Sequence, residues 1–185
     1  MTVENTRAAI IGGSESGKSF RAMGYSRGYW RRHRLRSLVF DPWARSTKPI
    51  AWGPQAWVTD DFDTWKRVVT SVKGCVAIWD EASGNGGRDR ENVGLLTEIR
   101  HRHPVLMCIA HAHAALLPMM RINLTDLFIA QADPDDAAEW AKTMKDTAVR
   151  EATQLQQYEF LHKRNFKPVR VLRESAAEIE AGILP

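Results

Sequence analysis

The chain has 185 residues, a formal net charge of +4 and 44% hydrophobic residues. That length fits one ordinary α/β domain with a core that needs no disulfide or metal staple, and the apolar content and mixed charges exclude low-complexity disorder. The longest strongly apolar run, 105–110, is far short of the ~20 residues of a membrane-spanning helix, and the polar 1–7 segment is not expected to act as a secretory signal.

In chain order, Ala8 to Ile11 reads as a buried strand running into Gly12-Gly13. A helix is expected from Ser19 to about His33, and a strand at Ser37 to Phe40 that stops at Asp41-Pro42. Residues 43–56 carry Pro49, Gly53 and Pro54 among tryptophans and read as irregular, before a short strand at Trp57-Val58. Phe62, Trp65, Val68 and Val69 have helical spacing. A strand from Cys75 to Trp79 ends in Asp80-Glu81, and the glycine-rich 83–90 segment reads as a mobile loop. A helix at Asn92 to Arg102 leads to a strand at Val105 to Ala110. Ala114 to Met120 is expected to be a helix interrupted at Pro118, and Asp126 to Ala130 another strand. Asp133 to Asp136 reads as a turn opening a helix that runs to about Ala148. Gln157 to Leu161 and Val169 to Leu172 could pair as a C-terminal β-hairpin. Cys75 and Cys108 fall in apolar runs, which predicts core thiols in a reducing compartment.

Strands alternate with helical segments, and the strands are continuous apolar runs. That predicts an α/β fold with a mostly parallel sheet covered by helices on both faces, over one domain spanning 1–185. Such folds bind ligands beyond the carboxyl ends of the strands, where the polar residues of this sequence collect.

Gly12-Gly13-Ser14-Glu15-Ser16-Gly17-Lys18-Ser19 matches G-x-x-x-x-G-K-[ST] in full. Glycines let consecutive N–H groups turn inward around a phosphate, and the following helix aims its positive end at the same anion. Lys18 would reach the β- and γ-phosphates and the Ser19 hydroxyl would ligate Mg²⁺, with the nucleotide site running from Gly12 through Phe20. These residues predict binding of a nucleoside triphosphate, with ATP and Mg²⁺ as cofactors. Asp80, at a strand end, is placed to complete the magnesium shell opposite Ser19. Glu81 beside it would orient or deprotonate an attacking water, which favours hydrolysis over transfer to a small acceptor.

With these motifs in this order, followed by Arg100-His101-Arg102-His103 and another strand, the chain resembles the HerA/FtsK superfamily of P-loop ATPases. More narrowly it resembles the DNA-packaging ATPases of membrane-containing tailless viruses, and also the ATPase domain of Zot-like phage proteins. The resemblance covers roughly 8–140. It implies a RecA-like core and a homo-oligomeric ring, usually hexameric, that translocates DNA at the cost of ATP. It implies an active site completed by a neighbour's arginine, here Arg100 or Arg102, with Arg88 and Arg90 as rivals. It also implies a polar sensor after the strand that follows. The family usually has glutamine there; this chain has His111, with His113 second. A pair of loop histidines is the plainer reading of these two.

Arg88 and Arg90, on the glycine-rich loop just past the acids, are expected to contact DNA in the pore. Arg27, Arg31, Arg32, Arg34 and Arg36 suit phosphate contacts, an outer helix face or a subunit interface. No base-reading motif is present, which fits sequence-independent binding, most simply to double-stranded DNA. The expected setting is the cytoplasm of an infected host cell or the packaging vertex of a virion, with a capsid-vertex or membrane protein as a further partner. The alternatives are a Zot-like extrusion ATPase, a small-molecule P-loop kinase and a nucleotide-gated binding module.

Overall fold

The computed structural model describes residues 5–46, 51–84 and 89–182. The described residues build an eight-stranded sheet in the order β3-β2-β4-β5-β1-β6-β7-β8. The strands are β1 (Thr6–Ile11), β2 (Ser37–Phe40), β3 (Ala56–Thr59), β4 (Val76–Trp79), β5 (Val105–Ala110), β6 (Asp126–Ile129), β7 (Phe160–Arg164) and β8 (Arg170–Leu172). The first six run parallel, while β7 pairs antiparallel to β6 and β8 antiparallel to β7. The helices are α1 (Lys18–His33), α2 (Phe62–Ser71), α3 (Asn92–Arg102), α4 (Pro118–Arg121), α5 (Pro134–Met144) and α6 (Ala176–Glu180).

The central strands are apolar throughout because both of their faces are covered. One side of β1 gives Ala9 and Ile11 to a core shared with Trp65 and Val69 of α2, Leu95 and Ile99 of α3, Met120 of α4 and Trp140 of α5. The other gives Ala8 and Ile10 to a core shared with Ala22, Met23 and Tyr25 of α1. Phe40, Phe62, Trp65 and Trp79 pack with ring centroids 5.0–6.4 Å apart, so Trp79 is a packing residue. Trp65 also donates its indole N–H to the Leu38 carbonyl at 3.1 Å. Trp52 is buried, whereas Trp43 and Trp57 are exposed.

Several local expectations need correction. Cys108 is buried, but Cys75 sits just ahead of β4 and is half-buried. Around Pro118 the chain makes a 3₁₀ turn, His113–Ala115, and then the short α4 with Pro118 in its first turn, where a missing N–H costs nothing. The helix after Asp133 stops at Met144, because Lys145 turns left-handed and Asp146 caps a separate 3₁₀ segment, Thr147–Gln154. The first strand of the C-terminal hairpin, β7, takes in Lys163 and Arg164, beyond the expected Leu161, and extends the main sheet.

Helix α6 is absent from the sequence reading. Ser175 opens it with a reciprocal capping box to Glu178, and it lies on α1. Gly24 of α1 permits this docking, since a Cβ there would stand 2.5 Å from the Ile179 carbonyl oxygen. Arg27 and Arg31 donate to the carbonyls of Glu180 and Ala181 at the end of α6. Within the chain, these two arginines therefore serve helix docking.

Candidate nucleotide-binding site

The register of the parallel strands brings four carboxyl ends side by side in the order β2, β4, β5, β1. Ile11 is level with Ala110, Cys108 with Trp79, and Trp79 with Phe40. The residues that follow these ends are Gly12, His111, Asp80 and Asp41. Because β5 lies between β1 and β4, His111 emerges between the glycine loop and the acidic pair.

Gly17 caps α1 at φ 88°, a left-handed conformation that glycine adopts without strain. No side chain caps this helix and its first turn holds no acid, whereas Asp61, Asp133 and Ser175 cap α2, α5 and α6. The first-turn N–H groups of a 16-residue helix are thus left to an external acceptor, which is an anion site. A Cβ at Gly12 would stand 2.7 Å from the Ala130 Cβ and 2.8 Å from the Ser16 Oγ, so the loop closes only around glycine. The Ser16 hydroxyl is buried without a hydrogen-bond partner. Lys18 folds back to donate to the Gly13 carbonyl at 2.6 Å. Burial lowers its pKa, against the opposing pull of Asp80 and Glu81. A phosphate chain fits this cradle: it would take the free N–H groups, the orphaned hydroxyl and the ammonium.

Asp80 is 4% exposed. Burial raises its pKa to about 6, against hydrogen bonds from the Ser19 side chain and the Glu81 N–H that pull it down. The neighbouring Asp41 carboxylate pushes in the same direction as burial. Ser19 and Asp80 therefore meet, and a hydroxyl with a buried carboxylate suits a divalent cation. In the sequence Asp41 marks only the end of a strand. It is buried beside Asp80 and held by the Trp52 indole N–H at 2.9 Å and the Trp43 N–H at 2.8 Å.

Glu81 takes a left-handed φ of 52°, uncommon for glutamate, and the next residue is tied to β5 through Ala82 N–H to the Ile109 carbonyl at 2.9 Å. This bend points the Glu81 carboxylate at the end of β5, where its Oε2 lies 3.0 Å from His111 Nε2. The His111 N–H is held by Ser83 Oγ at 2.8 Å. His113 plays a different part. It is buried, its N–H bonds the Asp136 carboxylate at 2.7 Å, and its ring meets Thr143 and Arg121. Burial, with the Arg121 guanidinium beside it, lowers its pKa to about 4 and keeps the ring neutral. It anchors the segment to α5 and leaves His111 alone at the site.

The arginines of α3 lie elsewhere. The Arg100 carbonyl accepts from Arg7 at the start of β1, and Arg102 pairs with Glu98. Both sit at the amino ends of the strands, ~20 Å from the glycine loop by the length of a six-residue strand. His103 is structural there: its Nδ1 accepts from the Cys75 N–H and its Nε2 donates to the Val69 carbonyl. Arg90 is exposed just before α3, and Arg88 lies outside the described residues. One part of the site had no sequence signal: a cavity of about 420 Å³ beside Ser16 and Gly17, walled by Phe20, Tyr158 and Phe160.

No sequence-family model matches the chain, and no curated protein matches it. Solved structures do. The genome-packaging NTPase B204 of Sulfolobus turreted icosahedral virus 2, in complex with AMPPCP, superposes with a TM-score of 0.75 at 18% identity, over 94% of this chain and 98% of that one. The DNA-packaging ATPase B204 of Sulfolobus turreted icosahedral virus gives 0.70 at 16% identity, over 93% and 98%. The cytoplasmic domain of the Type VII secretion ATPase EccC from Thermomonospora curvata gives 0.57 at 12% identity, over 95% of this chain but 27% of that one. At these identities the likeness is one of fold: the chain has the α/β P-loop NTPase fold that the sequence reading expected, its mostly parallel sheet covered on both faces.

Proposed function

We propose that the protein is an Mg²⁺-dependent ATPase that translocates DNA during viral genome packaging. The observation that carries the ATPase part is the meeting of Lys18, Ser19, Asp80, Glu81 and His111 at three adjacent strand ends. The packaging part is supported by the near full-length likeness in fold to two viral genome-packaging enzymes.

In this reading the free N–H groups of α1 and the Lys18 ammonium hold the β- and γ-phosphates in place. Ser19 and Asp80 would hold magnesium, which supplies charge neutralisation on the phosphate oxygens. Glu81 accepts the proton of an attacking water. His111, at hydrogen-bond distance from that carboxylate, orients it, and in doing so fills the position of the polar sensor.

A ring would bring a neighbour's arginine to the site. No arginine of α3 reaches its own chain's site, so Arg100 or Arg102 would act on the neighbour's nucleotide, with Arg90 and Arg88 as rivals or as pore contacts to DNA. Hexameric assembly, double-stranded DNA and attachment to a capsid vertex belong to the same proposal. The test is steady-state ATP hydrolysis at several protein concentrations, with and without double-stranded DNA of arbitrary sequence. Activity per chain that rises with concentration and with DNA is expected. Activity indifferent to both, yet raised by a small phosphoryl acceptor, would overturn the motor reading in favour of a kinase.

A further inference from the structure

The cavity beside the phosphate loop has a composition that the motor reading leaves unused. It is lined by Ser16 and Gly17, by Phe20 of α1, Tyr158 and Phe160, and by Ala176 and Ile179 of α6. Its walls are almost wholly apolar. Tyr158 stays 58% exposed although its ring edge reaches to within 3.3 Å of where a Gly17 Cβ would stand. Flat apolar walls leading away from a phosphate cradle suit a nucleobase, which stacks on aromatic faces.

One charged group faces this slot. Glu174 lines it, and its Oε2 accepts from Arg21 Nη1 at 3.1 Å. Arg21 is 1% exposed, donates also to the Tyr25 hydroxyl at 3.3 Å, and lies with its guanidinium 4.4 Å from the centre of the Phe160 ring. Its Nε and Nη2 have no hydrogen-bond partner. A guanidinium buried with so few partners depends on Glu174 for compensation, so the carboxylate is fixed in orientation. A carboxylate accepts up to about four hydrogen bonds, so one to arginine leaves capacity toward the slot.

We propose that Glu174, positioned by Arg21, reads the nucleobase by accepting a hydrogen bond from the exocyclic amino group of a 6-aminopurine stacked between Phe20 and Tyr158. This rests on the nucleotide reading and adds a specificity determinant to it. In an apolar slot a fixed acceptor discriminates strongly, because a base without the matching donor desolvates the carboxylate and leaves its remaining acceptor capacity unmet. Glu174 directly precedes Ser175, the cap of α6, and α6 lies on α1, the helix that follows the phosphate loop.

The experiment is titration calorimetry of the full chain with ATP and with purine riboside triphosphate, which has hydrogen in place of the 6-amino group. Wild type is expected to bind ATP about tenfold or more tightly than the analogue. Glu174→Gln keeps size and shape, but Arg21 draws the amide oxygen and leaves an NH₂ facing the base; the two nucleotides then bind alike. Tyr158→Ala, on an exposed side chain, is expected to weaken both about tenfold and keep their ratio. Lys18→Ala weakens both through the phosphates. Equal wild-type affinities for ATP and the analogue, with both lost in Lys18→Ala, overturn the base-reading role and leave the nucleotide site standing. No effect of Tyr158→Ala would overturn the slot. Absence of any binding by wild type would overturn the nucleotide reading and this inference with it.

Discussion

At the carboxyl ends of β1, β4 and β5, polar groups sit with bonding capacity left over: the uncapped N-terminus of α1, the orphaned Ser16 hydroxyl and the raised-pKa Asp80. At the amino ends of the same strands, nearly all of that capacity is spent within the chain, the Arg7 Nε being the exception. Arg7, 7% exposed, donates to the carbonyls of Thr6, Pro104, Arg100 and His103 and so closes the end of α3 against the sheet. His103 there uses both ring nitrogens on backbone groups. Similar residue types are thus spent on stability at one end and kept open for chemistry at the other. A loop that must accept a triphosphate cannot satisfy itself first; a helix end that must stay put has to.

Substitutions at the two ends should separate activity from stability. The largest expected effect is Lys18→Ala, which should cut ATP turnover by about a thousandfold or more, with little change in the urea midpoint. Glu81→Gln should keep ATP binding, read by calorimetry, and lower turnover by about a hundredfold; wild-type turnover would remove Glu81 from the chemistry. Arg7→Met should do the reverse, costing about 2–3 kcal/mol in urea denaturation while activity per folded chain is retained. A large loss of turnover in Arg7→Met at full stability would erase the distinction between the two ends.

Smaller effects sharpen the contrast within one segment, between two histidines two residues apart. His111→Ala should lower turnover about tenfold and leave nucleotide affinity intact. His113→Gln should spare the chemistry and alter acid stability instead. The folded-state pKa of His113 is lowered to about 4 from an ordinary value of 6.5. Its neutral form therefore contributes stability that is complete above pH 6.5 and is lost as pH falls toward 4. The urea midpoint of His113→Gln should be lower at neutral pH and fall less steeply over that window. An unchanged slope would mean that another group sets it.

The central strands were legible in the sequence because burial on both faces forces continuous apolar runs, and β2 and β5 match the expected bounds to the residue. The phosphate loop, Asp80 and Glu81 were legible because each is adjacent in sequence to the strand end that places it. Three features were not. The bound of α5 depended on one residue, Lys145, turning left-handed, which no periodicity announces. Helix α6 is only five residues long and has no buried side chain, so it left no apolar stripe to read. Arg27 and Arg31 form a basic cluster in the sequence, yet their partners are backbone carbonyls of distant segments, Ala51, Glu180 and Ala181, invisible to composition.

By itself, then, the amino-acid sequence determined the alternation of strands and helices, the nucleotide cradle and the acidic pair, since these rest on local geometry within a few neighbouring residues. Only the tertiary structure decided that β5 lies between β1 and β4 and delivers His111 to Glu81. Only it decided that His113 turns away, that the α3 arginines end at the far side of the sheet, and that Glu174 reaches a slot beside Gly17. Each of these depends on strand order and on docking between distant segments, and burial of apolar area fixes those without leaving a pattern in the polar residues themselves.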